Sequence, residues 1–152
     1  MIGIGFLKLV TPYMWWKSCF ASNFVHSGLT VGHAFFIEFL LTFFLMFVIM
    51  AACDSNKSNQ ILVPLAIGMA VFSAHMIGLP VTGCSINPTR SFASAVAASG
   101  VNGCTPWNNH WIFWIGPMSG ASLAGVLYEY CYMEGGYKVD MLIDQYIAKK
   151  NT

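Results

Sequence analysis

Three long apolar runs decide what kind of protein this chain can be. A helix needs about 20 mainly apolar residues to cross the hydrocarbon core of a bilayer. Residues 34–53 form one such run, in which Glu38 is the only charge; residues 62–80 form a second, and residues 111–132 a third. Aromatic residues at both ends of the third run are typical of membrane interfaces. The pattern predicts an all-α membrane protein with three transmembrane helices.

Composition excludes several other classes. Only 9% of the residues are charged, whereas soluble domains carry about 25%. Six acidic and seven basic residues nearly cancel, so no basic field exists to bind nucleic acid. His26, His33 and His110 lack metal-ligand spacing, and no nucleophile–base pair or phosphate loop is present. We therefore expect no enzyme, no metal and no cofactor.

The segments outside the runs set a provisional topology. Residues 1–11 are apolar but too short to span, so they are interpreted as the stub of a preceding span; residues 12–33 form a loop, and 133–152 a polar tail. Lysines favour a cytoplasmic tail and a cytoplasmic 54–60 turn, which leaves the Asn56 glycosylation sequon unused. The five cysteines have no CxxC spacing. Cys19 and Cys104 could both be extracellular, and the sequence leaves their pairing open.

Residues 81–100 carry the chemistry. In TGCSINPTRSF, Asn87 suits the N-cap and Pro88 the first position of a helix. The following TRSFASAVAASG is about half the length of a span, which predicts a re-entrant half-helix. Non-helical backbone at membrane depth survives only inside protein or beside water, so a cavity is expected. An intramembrane arginine such as Arg90 is a functional candidate, although it could instead snorkel to the headgroups.

These residues also carry a resemblance. SINPTRSF resembles the second NPA box of the aquaporin (major intrinsic protein) family, with LAIGMAVFSAH upstream and NHWIFWIGP downstream. The resemblance covers about residues 28–132, and LTVGHAFFIEF resembles animal members, insect ones included. The family has two inverted repeats, each with three spans and one half-helix, and forms homotetramers with one pore per subunit. The resemblance implies that this chain is the second repeat of a water-selective member.

The resemblance also implies roles for single residues. Asn87 would donate to passing water, and Arg90, His75 and Cys84 would form the selectivity filter. The backbone carbonyls of Gly83, Cys84 and Ser85 would line the approach to the pore. The buried carboxylate of Glu38 would brace the re-entrant loop.

Four further positions match the water-selective branch: Ser91, Ala95, Phe113 and Trp114. The box itself departs from the family pattern, because Thr89 stands where alanine is usual after Asn87 and Pro88. The added hydroxyl could bond locally to backbone. Gly116, Gly120 and Ala124 form a small-residue stripe on the third run, which we expect to pack within the bundle.

The first functional hypothesis is a passive water channel in the plasma membrane, with lipid as its surroundings. Only one NPA-like box is present, whereas the family's pore needs two facing half-helices, so a second half would have to close it. The alternative is a truncated, non-conducting half that acts as an interaction partner or is an incomplete gene product. Glycerol or peroxide conduction is disfavoured by Ser91 and His75.

Overall fold

The computed structural model describes residues 2–54 and 60–132, with positions 146 and 149 of the C-terminal segment. Asn56 and most of the predicted tail lie outside the described residues. Within the described part the secondary structure is helical, which confirms the all-α prediction there. Its helices are α1 (Ile2–Val10), α2 (Val31–Cys53), α3 (Val63–Thr82), α4 (Pro88–Ala98) and α5 (Ile112–Cys131), with 3₁₀ segments at Tyr13–Ala21 and Gln60–Leu62.

Local sequence signals set the ends of α2 and α3. Thr30 caps α2, since its hydroxyl accepts the His33 N–H at 3.3 Å and the His33 ring accepts the Thr30 N–H at 3.4 Å. This reciprocal pair satisfies two donors that a helix start leaves unpaired. The α3 helix ends at Gly83, whose φ of 75° is left-handed and therefore suits a residue without a Cβ.

Two of the predicted spans are confirmed as helices long and apolar enough to cross a membrane, namely α2 and α3. In each of these helices, 22% of the most apolar stretch is buried within the chain. The α5 helix has 20 residues, which is enough to span. Glu129, its tyrosines and its small residues lower its mean hydropathy, so its crossing of a membrane stays a prediction.

The α2 helix lies between α3 and α5 and contacts both. Small residues on α5 allow the closest approach. A Cβ at Gly120 would overlap the Phe39 carbonyl oxygen, and one at Gly116 would lie 3.3 Å from the Phe35 carbonyl oxygen. Ala124 is completely buried. The small-residue stripe therefore packs within the bundle, as the sequence predicted, and brings the α2 and α5 backbones into contact.

A loop with two cross-links joins α4 to α5. Trp107 donates its indole N–H to the Ser99 hydroxyl at 2.8 Å, and its ring lies 5.7 Å from that of Phe92. Cys104 is joined by a disulfide to Cys19, with the two Cα atoms 5.7 Å apart. The structure thus makes the pairing that the sequence left open, and fixes this loop to the segment that precedes α2.

Candidate functional site

The site is built on the turn between α3 and α4. Gly83, Cys84 and Ile86 all have positive φ, at 75°, 52° and 44°. The left-handed conformation costs a residue with a side chain roughly 1–2 kcal/mol. Gly83 avoids this cost, and it also lies close to the loop before α2, since a Cβ there would be 3.3 Å from Asn23 Nδ2. Cys84 and Ile86 adopt this unfavourable conformation, so other contacts must stabilise the turn.

Glu38 of α2 supplies those contacts. Its carboxylate is completely buried, and Oε1 accepts the Thr82 hydroxyl at 2.5 Å and the Ser85 N–H at 2.8 Å. Oε2 accepts the Ile86 N–H at 2.9 Å. Hydrogen bonds to an ionised acceptor are about twice as strong as neutral ones, and an unbonded buried carboxylate would be costly. One side chain therefore satisfies three donors at the end of α3 and in the turn.

Asn87 begins α4 as the sequence predicted, with Pro88 as the first helical residue. Its Oδ1 accepts the N–H of Thr89 at 2.9 Å and that of Arg90 at 3.3 Å. The Asn87 side chain is exposed, and its Nδ2 makes no hydrogen bond with the described residues. The cap thus uses only the oxygen and leaves the amide donors for a ligand. Thr89 is exposed as well.

Arg90 is held by the loop that precedes α2. Its Nη1 donates to the Ala21 carbonyl at 3.1 Å and to Asn23 Oδ1 at 2.8 Å. Asn23 is 2% exposed. Its Oδ1 also accepts the Ser91 hydroxyl at 2.7 Å, and its Nδ2 donates to the Thr82 carbonyl at 3.0 Å. One amide thus connects the loop, the end of α3 and the start of α4.

No local pattern in the sequence marks Asn23. Its partners Thr82 and Arg90 lie 59 and 67 residues away along the chain, and it belongs to no motif. The one sequence signal is an amide with both donor and acceptor groups in a loop beside an apolar run, which is too common to be diagnostic.

A cavity of about 440 Å³ opens beside Arg90. Its wall includes two cationic side chains and several neutral polar groups, and no carboxylate among the described residues. The residues that line it include Lys17, Cys19, Ala21, Asn23, Gly83 and Arg90. Of the residues predicted for the pore, Gly83 and Arg90 line this cavity.

Two other predicted filter residues are placed differently. The His75 ring is half-buried on α3, with Nδ1 2.9 Å from the Val71 carbonyl oxygen of its own helix. The Cys84 side chain is completely buried and packs with Leu41 and Ala74, and its thiol donates to the Ala74 carbonyl at 3.4 Å. Neither side chain belongs to the wall of the 440 Å³ cavity. Their part in a filter stays a prediction.

The remaining predicted residues lie in the packing around α4 and α5. Ser85, Ser91, Ala95 and Phe113 are buried, and the two serine hydroxyls lie 2.5 Å apart. Trp114 is 39% exposed and its ring lies 6.2 Å from that of Phe92.

His110 lies just before α5, and both its ring nitrogens are buried without a hydrogen-bond partner among the described residues. This burial lowers the pKa of His110, while the nearby Pro106 backbone acts in the opposite direction. In the described part of the chain, no group of three or more His, Cys, Asp or Glu residues could hold a metal ion.

Comparison with known proteins gives a consistent set of matches. The chain matches the family described as Major intrinsic protein over residues 1–128. It is 44% identical to Aquaporin-4 of Rattus norvegicus over 133 residues, which are 87% of this chain and 39% of that protein. It is 43% identical to Aquaporin-4 of Homo sapiens over the same shares. It is 35% identical to Aquaporin PIP2-1 of Arabidopsis thaliana over 141 residues, 90% of this chain and 48% of that protein. The chain therefore spans less than half the length of each of these relatives.

Proposed function

Because this chain belongs to the major intrinsic protein family, we propose that it supplies one half of a passive transmembrane water channel. The observation that carries the proposal is the start of α4. There an exposed asparagine amide caps a half-length helix, and the third residue of that helix, Arg90, lines a cavity with no carboxylate among the described residues. The relatives named for aquaporins support water as the permeant.

The proposed mechanism follows from charge and hydrogen bonding. The N-terminus of α4 carries partial positive charge, and Arg90 adds a full one at the cavity wall. Cations and hydronium are repelled there, whereas neutral water is not. The free Asn87 amide donates to a passing water molecule, and the backbone carbonyls of the 83–85 turn accept from it. Flow is passive and follows the osmotic gradient.

A pore needs a second half to face this one. The exposed apolar side chains of α2 and α3 favour contact with such a second half, since contiguous exposed apolar surface marks contact with lipid or protein. The exposed set includes Phe36, Leu40, Leu65, Met69 and Phe72. We propose that α2, α3 and α5 span the membrane, that α4 is the re-entrant half-helix, and that a second aquaporin half covers part of this surface.

The finer assignments belong to the same proposal. Arg90 and His75 would form the filter together with the Cys84 position, and the full-length form would be a homotetramer in the plasma membrane with a cytoplasmic C-terminus. Ser91 and His75 support water over glycerol or peroxide, because glycerol-conducting members of the family usually have aspartate at the position of Ser91.

The alternative is a non-conducting half that acts as an interaction partner or is an incomplete gene product. The observation that favours it is the same exposed apolar surface on α2 and α3, which a partner would cover whether or not a pore results.

Stopped-flow swelling of vesicles distinguishes the two. The chain is reconstituted alone and together with the first half of rat Aquaporin-4, and water permeability is compared with that of empty vesicles. The paired preparation is expected to conduct water. Permeability equal to that of empty vesicles in both preparations, with the chain folded by circular dichroism, would overturn the channel proposal and support the non-conducting half.

Asn87→Asp provides the sharpest variant for the same assay. Aspartate is as good an N-cap as asparagine, so α4 remains capped while the amide donors are removed. Water permeability should fall roughly tenfold, the effect of losing one hydrogen bond of ordinary strength to a passing water molecule. Ser119→Ala on the exposed face of α5 is the matched control, because its hydroxyl bonds only within that helix, and it should conduct like the parent chain.

A further inference from the structure

We propose that the Cys19–Cys104 disulfide positions the Arg90 guanidinium, and thereby sets which solutes the pore admits. The inference rests on the proposed function, because it assigns a positioning element to the same site. It concerns the 19–21 segment, at the end of the first 3₁₀ segment, which no part of the proposed conduction mechanism uses.

The 19–21 segment has an unusual backbone. Cys19, Phe20 and Ala21 have φ values of 53°, 51° and 51°, so three consecutive residues with side chains are left-handed. Left-handed backbone is unfavourable for residues with side chains, and such runs persist only where the surroundings enforce them. The carbonyl of the last residue, Ala21, accepts from Arg90 Nη1. The direction of that carbonyl therefore depends on the left-handed run.

The run is held at both ends. At its start, Cys19 is bonded to Cys104, 85 residues further along the chain, in the loop that follows α4. At its end, Ser22 donates its N–H to the Cys19 carbonyl at 2.9 Å, and Asn23 is hydrogen-bonded to the ends of α3 and α4. Among the described residues, the disulfide is the covalent cross-link between this run and the loop after α4. Without it, the run can return to ordinary backbone angles and turn the Ala21 carbonyl away.

The contacts that hold the bundle lie elsewhere. The α2–α5 approach is made at Gly116 and Gly120, and the α3–α4 turn is held by Glu38. Neither set includes Cys19 or Cys104. Cys19, Ala21 and Arg90 instead share the wall of the 440 Å³ cavity. Loss of the disulfide should therefore change the position of the guanidinium while the helices stay packed.

The chain offers clean chemistry for a test. Arg90 is its only arginine, so a dicarbonyl reagent such as phenylglyoxal reports on this guanidinium alone. Cys53 and Cys131 are exposed free cysteines, so Cys53→Ser and Cys131→Ser are matched controls for removing a cysteine. Asn23→Ala is the reference variant, because it removes the other Nη1 acceptor directly.

The experiment measures Arg90 labelling by mass spectrometry and the urea-to-water permeability ratio of the paired vesicles. Both are recorded before and after treatment with a water-soluble phosphine. Reduction converts the disulfide to two thiols, while the phosphine becomes a phosphine oxide with oxygen from water. We expect labelling to become roughly tenfold faster, as for loss of one charge-assisted hydrogen bond, and the urea-to-water ratio to rise. Cys19→Ser and Cys104→Ser should behave like the reduced protein without treatment.

Reversibility of the change in labelling is the decisive test. Reoxidation with oxidised glutathione should restore the slow labelling and the low ratio in the parent chain, and should leave both serine variants unchanged. Equal labelling rates before and after reduction would overturn the positioning role, as would a loss of helicity that accompanies faster labelling. If labelling responds while every vesicle preparation is as impermeable as empty vesicles, the positioning role stands and the channel proposal fails.

Discussion

Two left-handed turns lie on either side of Asn23, and they are held in opposite ways. The 83–86 turn meets the cavity at Gly83, while Cys84 and Ile86 pack against α2 and α3, and hydrogen bonds to the Glu38 carboxylate fix the turn. The 19–21 run borders the open cavity and is fixed by the Cys19–Cys104 disulfide. Water competes with hydrogen bonds at an open cavity but not inside the bundle, where they are electrostatically stronger. The location of each turn therefore accounts for the kind of bond that holds it.

The largest expected effect breaks the buried turn. Glu38→Ala leaves the donors of Thr82, Ser85 and Ile86 without their acceptor, and should cost about 3–5 kcal/mol of unfolding free energy. Glu38→Gln keeps one acceptor oxygen and should lose less. Unfolding in mixed detergent, followed by circular dichroism, measures both variants. A Glu38→Ala protein as stable as the parent would show that the turn holds itself.

The second effect concerns how rarely the 83–86 turn opens to solvent. Cys84 is completely buried within it, whereas Cys53 and Cys131 are exposed. Maleimide should therefore react with Cys84 roughly a hundredfold more slowly, as expected for a thiol reached only by local opening. Mass spectrometry after timed quenching gives the three rates. Equal rates would mean that the turn opens freely in the native protein.

The third effect tests the link between the turns. Asn23→Ala removes bonds to Thr82, Arg90 and Ser91, and should destabilise the chain by roughly 2 kcal/mol. Asn23→Asp keeps the acceptor for Arg90 and Ser91 and loses only the donor to Thr82. Its stability should therefore lie between those of the parent chain and Asn23→Ala. Detergent unfolding orders the three proteins. Asn23→Asp as unstable as Asn23→Ala would place the main contribution in the Thr82 contact.

The smallest effect is expected from a substitution by glycine, made once in each left-handed turn. Ala21→Gly relieves a left-handed side chain and keeps the carbonyl, so it should stabilise the chain by about 0.5 kcal/mol or less, because glycine also gains entropy in the unfolded chain. Ile86→Gly relieves a similar φ but loses packing against the cluster of Leu41, Ala74 and Cys84, so it should destabilise. Thermal unfolding compares the signs. A stabilising Ile86→Gly would show that backbone strain outweighs packing in the buried turn.

The sequence predicts what depends on neighbours along the chain. The α2 and α3 helices follow from uninterrupted apolar runs, and the start of α4 follows from Asn87 followed by Pro88. The disulfide that begins the left-handed 19–21 run and the Asn23 contacts join residues 59–85 positions apart. Such contacts exist only once the helices have packed, so no local pattern announces them.

Cys84 illustrates the same limit. The resemblance predicts a filter position, while the described structure turns this side chain toward Ala74. The space it occupies is left by Gly78 of α3, where a Cβ would lie 2.9 Å from the Cys84 Cβ. A glycine in an apolar run signals close approach, but the sequence does not say which residue approaches.

The contact between α2 and α5 has a consequence for the order of synthesis. A Cβ at Gly116 would lie 3.2 Å from the Cβ of Glu38, so the last described helix packs directly against the residue that holds the re-entrant turn. A ribosome makes α2 before α5. Until α5 has left the ribosome, the face of α2 that Gly116 covers lacks its α5 neighbour, and the finished arrangement forms only when α5 docks.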